Sequence, residues 1–297
     1  MPTTSSNGLD IYYETMGDPA DVPLQLVMGL SAQLIAWDDE FCAGLVDRGF
    51  FVIRHDNRDV GLSSKVETVG DTEFAASFAK ALAGEAIEPP YSLSDMASDA
   101  VAVLDAVGVE AAHIVGASMG GMIAQTIAIE HPSRVLTLTS IMSTTGEPDV
   151  GQPTPAAMEV LLKPPVTERG AAIERAVESS RVIGSPDQFD EDRARATATA
   201  AFDRSFYPAG IARQLLGIVG SGSRADGLRA LDVPTLVIHG TVDPLVTPTG
   251  GARTAELIPG AELLEIEGMG HDNPPAFWAQ IIDAITTLAA RATVSTT

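Results

Sequence analysis

The chain is poor in cysteine, in positive charge and in long apolar runs. Cys42 is the sole cysteine among 297 residues. No intramolecular disulfide can form, and a structural cysteine-zinc site is excluded. In its setting, DDEFCAGLV, Cys42 reads as an apolar helix residue. Eighteen basic residues face 40 acidic ones, for a net charge of −22. Phosphate backbones would be repelled, so nucleic acid is not an expected partner. No apolar run approaches the ~20 residues of a membrane span, and membrane insertion is not expected. The opening MPTTSSNGLDIYYE has neither a basic nor an apolar segment. It does not read as a secretory signal, and a cytoplasmic location is expected. No G-x-x-x-x-G-K-[ST] occurs, GASMGGMIA lacks G-x-G-x-x-G spacing, and no histidine-acid spacing resembles a zinc site. No cofactor and no metal are expected.

What is present is a rhythm. The hydrophobic fraction is 45%, ample for a core in a 30.9 kDa chain. Strand-like runs fall at 9–15 (an edge strand by its alternation), 24–28, 50–54, 113–117, 135–141, 234–240 and 261–268. Helix-like runs lie between them at 37–47, 94–107 and 119–130, with a terminal helix at about 276–290. Met96, Ala100, Val103, Leu104 and Val107 share one helical stripe. Short buried strands alternating with helices predict an α/β fold, a mostly parallel sheet covered on both faces. Residues 71–90 read as a variable connection. From 145 to 228 the rhythm breaks into helical stretches, 167–182 and 188–203, with proline joints at PTPA and KPP. This predicts a core domain of 1–144 and 229–297 with a helical cap, 145–228, inserted into it.

The chemistry gathers at AAHIVGASMGGMIAQTIAI. Ser118 stands at a strand-to-helix junction inside G-A-S-M-G. A nucleophile elbow needs small neighbours because its turn is tight and its serine strained, which fits Gly116 and Gly120. The bland reading is a glycine-rich turn with a capping serine. A serine hydroxyl needs a base. Of His55, His113, His131, His239 and His271, the last lies in GMGHDNPP, a loop after a late strand, and is the expected base. Asp243, in GTVDPLV after another strand, is the expected partner of that imidazole. An Asx turn before Pro244 is the alternative. Backbone amides of Met119 and Leu30 are the expected oxyanion donors, with Gly29 permitting the turn in M-G-L-S-A.

These features resemble the α/β-hydrolase superfamily across nearly the whole chain. V-M-G-L-S matches the family loop that often reads H-G-x-x, with Met28 at the histidine position. HDNRDVGLSS matches D-x-R-G-x-G-x-S from Asp56 to Ser63, with Asp59 replacing the first glycine. MG…DNRDVGLS, GASMGG, GTVDPLV and GMGH together resemble the aclacinomycin methylesterase-like group. That resemblance implies a serine esterase with a small-molecule ester substrate, here of small or medium size and hydrophobic, such as a polyketide methyl ester. Lactone, amide or C–C bond hydrolysis would use the same three residues. A noncatalytic ligand receptor on the same fold is the alternative of another class. Arg58 reads as a loop brace rather than a substrate contact. Met158, Leu161, Leu162, Phe189, Phe202 and Phe206 of the cap are the candidate substrate pocket.

Overall fold

A computed structural model describes residues 2–66, 71–164 and 166–294. Pro165, in the KPP joint, lies outside them. The chain begins with a hairpin of β1 (Thr3–Ser6) and β2 (Leu9–Met16), followed by β3 (Val22–Val27), α1 (Asp39–Val46), β4 (Phe50–His55), α2 (Asp71–Leu82) and α3 (Leu93–Ala106). Next come β5 (Ala112–Ala117), α4 (Met119–Glu130) and β6 (Val135–Ile141). Five helices follow: α5 (Pro155–Leu162), α6 (Arg169–Ile183), α7 (Glu191–Arg204), α8 (Ala209–Ser221) and α9 (Ala225–Arg229). The chain closes with β7 (Thr235–Gly240), α10 (Thr249–Leu257), β8 (Glu262–Ile266) and α11 (Pro275–Val294).

The eight strands form one sheet in the order β1-β2-β4-β3-β5-β6-β7-β8. β1 and β2 are antiparallel to their neighbours, and every pairing from β4 to β8 is parallel. Alternating side chains feed two cores, since successive strand residues face opposite ways. Ile53, Ile114 and Leu138 pack with Met96, Ala100, Val103, Leu104, Ile123 and Ile127 on one face. Val52, Val115 and Ile238 pack with Phe41, Leu45, Ile281 and Ile285 on the other. The stripe on α3 is buried as its spacing predicts. Ser92 opens that helix with a capping box to Asp95.

Three readings of the sequence need correction. The 9–15 run is not the edge strand, because β1 pairs outside it. The turn between them is Asn7-Gly8, with φ of 49° and 79°, the left-handed pair that a two-residue hairpin requires. TTSS itself carries no hydrophobic alternation. The 71–90 connection holds the helix α2, whose Phe74 and Phe78 stack, with Phe78 packing beside Leu215 and Leu216 of α8. Lastly, α9 falls inside the predicted cap interval, yet its Ala225 and Leu228 join the core cluster that holds Ile127 of α4.

The chain order reverses at β3. From β3 it passes to β4 on one side, then returns to β5 on the other. Loops leaving β3 and β5 diverge at that switch point and open a crevice at the carboxyl ends of the strands, where α/β sheets bind ligands. The loop with Leu30 leaves β3, and Ser118 leaves β5.

Candidate active site

Ser118 has φ 56° and ψ −121°, a conformation that L residues adopt only under constraint. The constraint is close packing. A Cβ on Gly116 would lie 2.0 Å from the Gly120 carbonyl oxygen, and one on Gly120 would lie 2.0 Å from that of Val27. Glycine is therefore required at both positions for α4 to start this close to β3 and β5. The Ser118 backbone is held by its N–H to Ile141 O (2.9 Å) and by Ser143 Oγ, which donates to Ser118 O (2.9 Å). Across the crevice, a Cβ on Gly29 would sit 3.0 Å from that of Ser118.

The loops after β7 and β8 bring the other two side chains in. His271 Nε2 lies 2.9 Å from Ser118 Oγ, and Nδ1 lies 2.8 Å from Asp243 Oδ2. Asp243 is 2% exposed, and its Oδ1 accepts the amides of Leu245 (2.9 Å) and Val246 (3.0 Å). A carboxylate so placed is an acceptor only. It draws the imidazole proton to Nδ1 and leaves the Nε2 lone pair facing the serine hydroxyl. Residues 118, 243 and 271 are thus joined in one hydrogen-bonded line. His239 instead bonds the Val246 carbonyl through Nε2 at 2.7 Å. Burial lowers the His239 pKa and pushes those of His55 and His113 to about 4.

The Met119 amide opens α4 without an intrahelical acceptor. The Leu30 amide bonds to no protein group among the described residues. Leu30 lies in the turn Gly29–Ala32, whose Ala32 N–H reaches Gly29 O at 3.3 Å, and Ser31 takes φ 62°. Beneath, the DNRD segment is a brace. Asp56 accepts from the Leu34 and Leu62 amides, Asn57 donates to Met28 O, and Arg58 forms a buried bidentate pair with Asp99 at 2.7 and 2.9 Å. Asp59, at φ 69°, accepts Arg213 of α8 and the Tyr91 hydroxyl. Burial pushes the Cys42 thiol up to about 11, away from any thiolate chemistry.

Side chains from the cap reach the site loops, and sequence reasoning missed them. Gln33 donates to the carbonyls of Ala201 and Ser205, and Arg204 bonds both Gln33 and Asp56. Ser185, between α6 and α7, gives its N–H and O–H to Asp272 Oδ1 (3.0 and 2.5 Å) and accepts the Gly270 amide (2.9 Å). The His271 amide reaches Ile183 O at 2.7 Å. Burial raises the Asp272 pKa. None of these pairings has a local sequence signal beyond the acid adjacent to His271. Of the candidate pocket residues, Met158 and Leu161 are half-buried on α5, and Leu162 and Phe206 are 42% and 39% exposed. Phe202 stacks on Phe206 at 4.4 Å, while Phe189 lies under the Arg181 guanidinium at 5.0 Å. Among the described residues no group of three or more His, Cys, Asp or Glu is placed to hold a metal, and no helix is long and apolar enough to cross a membrane.

Comparison with known proteins agrees with this geometry. The family described as alpha/beta hydrolase fold matches residues 26–274. Rhodomycin D methylesterase from Streptomyces peucetius is 34% identical over 318 aligned positions, covering 99% of this chain and 100% of that one. Among solved structures, Est816, described as an N-acyl homoserine lactone degrading enzyme, superposes with a TM-score of 0.69 at 27% identity, covering 97% of this chain and 98% of that one. A meta-cleavage product hydrolase from Pseudomonas fluorescens IP01 superposes with a TM-score of 0.73 at 20% identity, covering 100% and 98%. The chain belongs to the alpha/beta hydrolase family.

Proposed function

We propose that this hydrolase is a serine carboxylic-ester hydrolase in which Ser118 is the nucleophile, His271 the general base and acid, and Asp243 the orienting carboxylate. The observation that carries the reading is the line from Ser118 Oγ through His271 to Asp243, with contacts of 2.9 and 2.8 Å. Ser118 Oγ attacks the ester carbonyl as His271 Nε2 takes its proton. The Leu30 and Met119 amides receive the oxyanion. His271 returns the proton to the departing alcohol. Water, deprotonated by the same imidazole, then attacks the acyl-enzyme and releases the acid. Asp243 stays ionised and holds the imidazolium.

The substrate is a small or medium hydrophobic ester. A methyl ester of a polyketide is supported by the 34% identity to a rhodomycin D methylesterase over 99% of the chain. The organic part of the ester lies against the cap, with Met158, Leu161, Leu162, Phe189, Phe202 and Phe206 as the side chains offered to it. Lactone opening is the second reading, favoured by 27% identity to a lactone-degrading enzyme over 97% of the chain. A single buried thiol, with no disulfide, fits a reducing, cytoplasmic site of action.

Ser118→Ala should abolish fluorophosphonate labelling and ester turnover while leaving the unfolding curve unchanged. Undiminished labelling of that variant rejects Ser118. Rates on short esters, lactones, amides and polyketide methyl esters then rank the substrate classes. Phe202→Ala should change that ranking, by about 1–3 kcal/mol on an apolar ester, more than it changes labelling.

A further inference from the structure

We propose that Gln214 is the positioning residue of the oxyanion hole, a cap side chain that keeps the Leu30 amide aimed at Ser118. The inference rests on the serine-hydrolase reading above. An oxyanion donor works only if its N–H points where the charge develops. For Leu30 that direction is set by the Gly29–Leu30 peptide plane, and a flip of this plane would put a carbonyl where the amide should be. The turn's own bond, Ala32 N–H to Gly29 O, is long at 3.3 Å. Ser31, the next residue, is held in the left-handed region at φ 62° without being glycine. The turn therefore needs a hold from outside.

Gln214 supplies it. Its Oε1 accepts the Ser31 amide at 2.8 Å, which fixes the Leu30–Ser31 peptide. Its Nε2 donates to the Arg58 carbonyl at 2.9 Å, so one side chain clamps the loops after β3 and β4 together. Gln214 is wholly buried, and each end of its amide already serves a loop, so it is not shaped to contact substrate. A second observation lies on the same helix. The Leu30 side chain packs against the cluster of Leu215 and Leu216, so α8 grips the turn through both a hydrogen bond and an apolar contact. Arg213 anchors that stretch of α8 to the loop after β4, through Asp59 at 2.8 and 3.1 Å. The Leu30 amide is left between two pinned peptide planes, with its own N–H unclaimed.

The test compares Gln214→Leu, Gln214→Asn and Gln214→Glu with the wild type on p-nitrophenyl acetate. Leu removes the acceptor, and Asn withdraws it by one methylene. Both should lower kcat by about 10–100-fold while KM moves less than about threefold. Glu keeps an oxygen for the Ser31 amide and should recover part of the loss. Binding of a trifluoromethyl ketone, whose serine adduct carries an oxyanion, should weaken in Leu and Asn by the same factor as kcat/KM. Binding of the matching methyl ketone should not change. Should the Leu variant fail to fold, the Asn variant carries the same expectation. Unchanged kcat and unchanged trifluoromethyl ketone binding overturn the proposal, as does an equal loss for both ketones. Wild-type turnover with indifferent Gln214 variants overturns this inference alone. A wild type that turns over no ester overturns the hydrolase reading beneath it.

Discussion

At Ser118 the backbone is strained because the residues around it leave no other path. The cost of such a conformation is of order 1–3 kcal/mol, and the packing of α4 against the sheet offsets it. A methyl group on Gly120 would meet the Val27 carbonyl at 2.0 Å, so Gly120→Ala should fail to yield folded protein or unfold many degrees lower, as a thermal melt will show. Asp243→Asn is expected to act differently. The two amides that bond Oδ1 would hold the remaining oxygen, leaving the new NH₂ group facing His271. The imidazole would then keep its proton on Nε2 and lose its basic lone pair toward Ser118. A fall in kcat of about 10³–10⁴-fold with little change in melting temperature is expected. An Asn variant that keeps more than a tenth of the activity would remove Asp243 from its role. These residues were legible because each sits where a buried strand ends in a short polar loop, and chain order did the rest. Gln214 was not legible. Its partner, Ser31, lies 183 positions away, and a single buried amide leaves no periodic trace.

Among elements, the bond between cap and core is concentrated on the loops that carry the chemistry. The segment joining α6 to α7 is stapled to the loop carrying His271 by Ser185 and Asp272, while α7 and α8 hold the loops after β3 and β4. Asp272→Ala breaks two bonds to a partly buried carboxylate and should cost roughly 1–3 kcal/mol in urea unfolding. Combined with Ser185→Ala in a double-mutant cycle, it should show coupling of at least ~1 kcal/mol. A coupling near zero would mean that the two side chains act independently. Strands and core helices could be read from sequence because burial imposes periods of two and 3.6. The β1–β2 hairpin also carried its signal in Asn7-Gly8, though its strand did not. The cap helices lack this clarity: α7 buries no residue fully, so its pattern is set by ion pairs such as Arg169–Asp203 rather than by an apolar stripe.

For the whole molecule, acid is the predicted weakness. Burial pushes the imidazoles of His55 and His113 to about 4, from an ordinary value of about 6.5. Groups harder to protonate when folded contribute stability above their ordinary pKa, and that contribution is lost as pH falls from about 6.5 toward 4. At full effect each is worth roughly 3 kcal/mol. Melting temperature should hold from pH 8 to 7 and then decline through that window. His55→Leu, which removes one titrating ring, should make the decline shallower. An equal slope in wild type and variant would show that His55 does not drive it.

The parallel pairing of β6 with β7 has a consequence for grafting. The helical insertion departs from the carboxyl end of β6 and must deliver the chain to the opposite end of the sheet, because Leu138 is level with Thr235 and Ile141 with Ile238. A short splice across the gap cannot cover that distance, since parallel neighbours need a crossover of a dozen or more residues. The descending limb is α9, seated against α4, where Gly227 leaves room for Ile129. A specificity module transplanted from a relative should therefore end before Arg224, whose own amide and guanidinium grip the carbonyls of Thr145 and Thr144. Everything upstream of that clasp is exchangeable cargo, and everything after it is chassis.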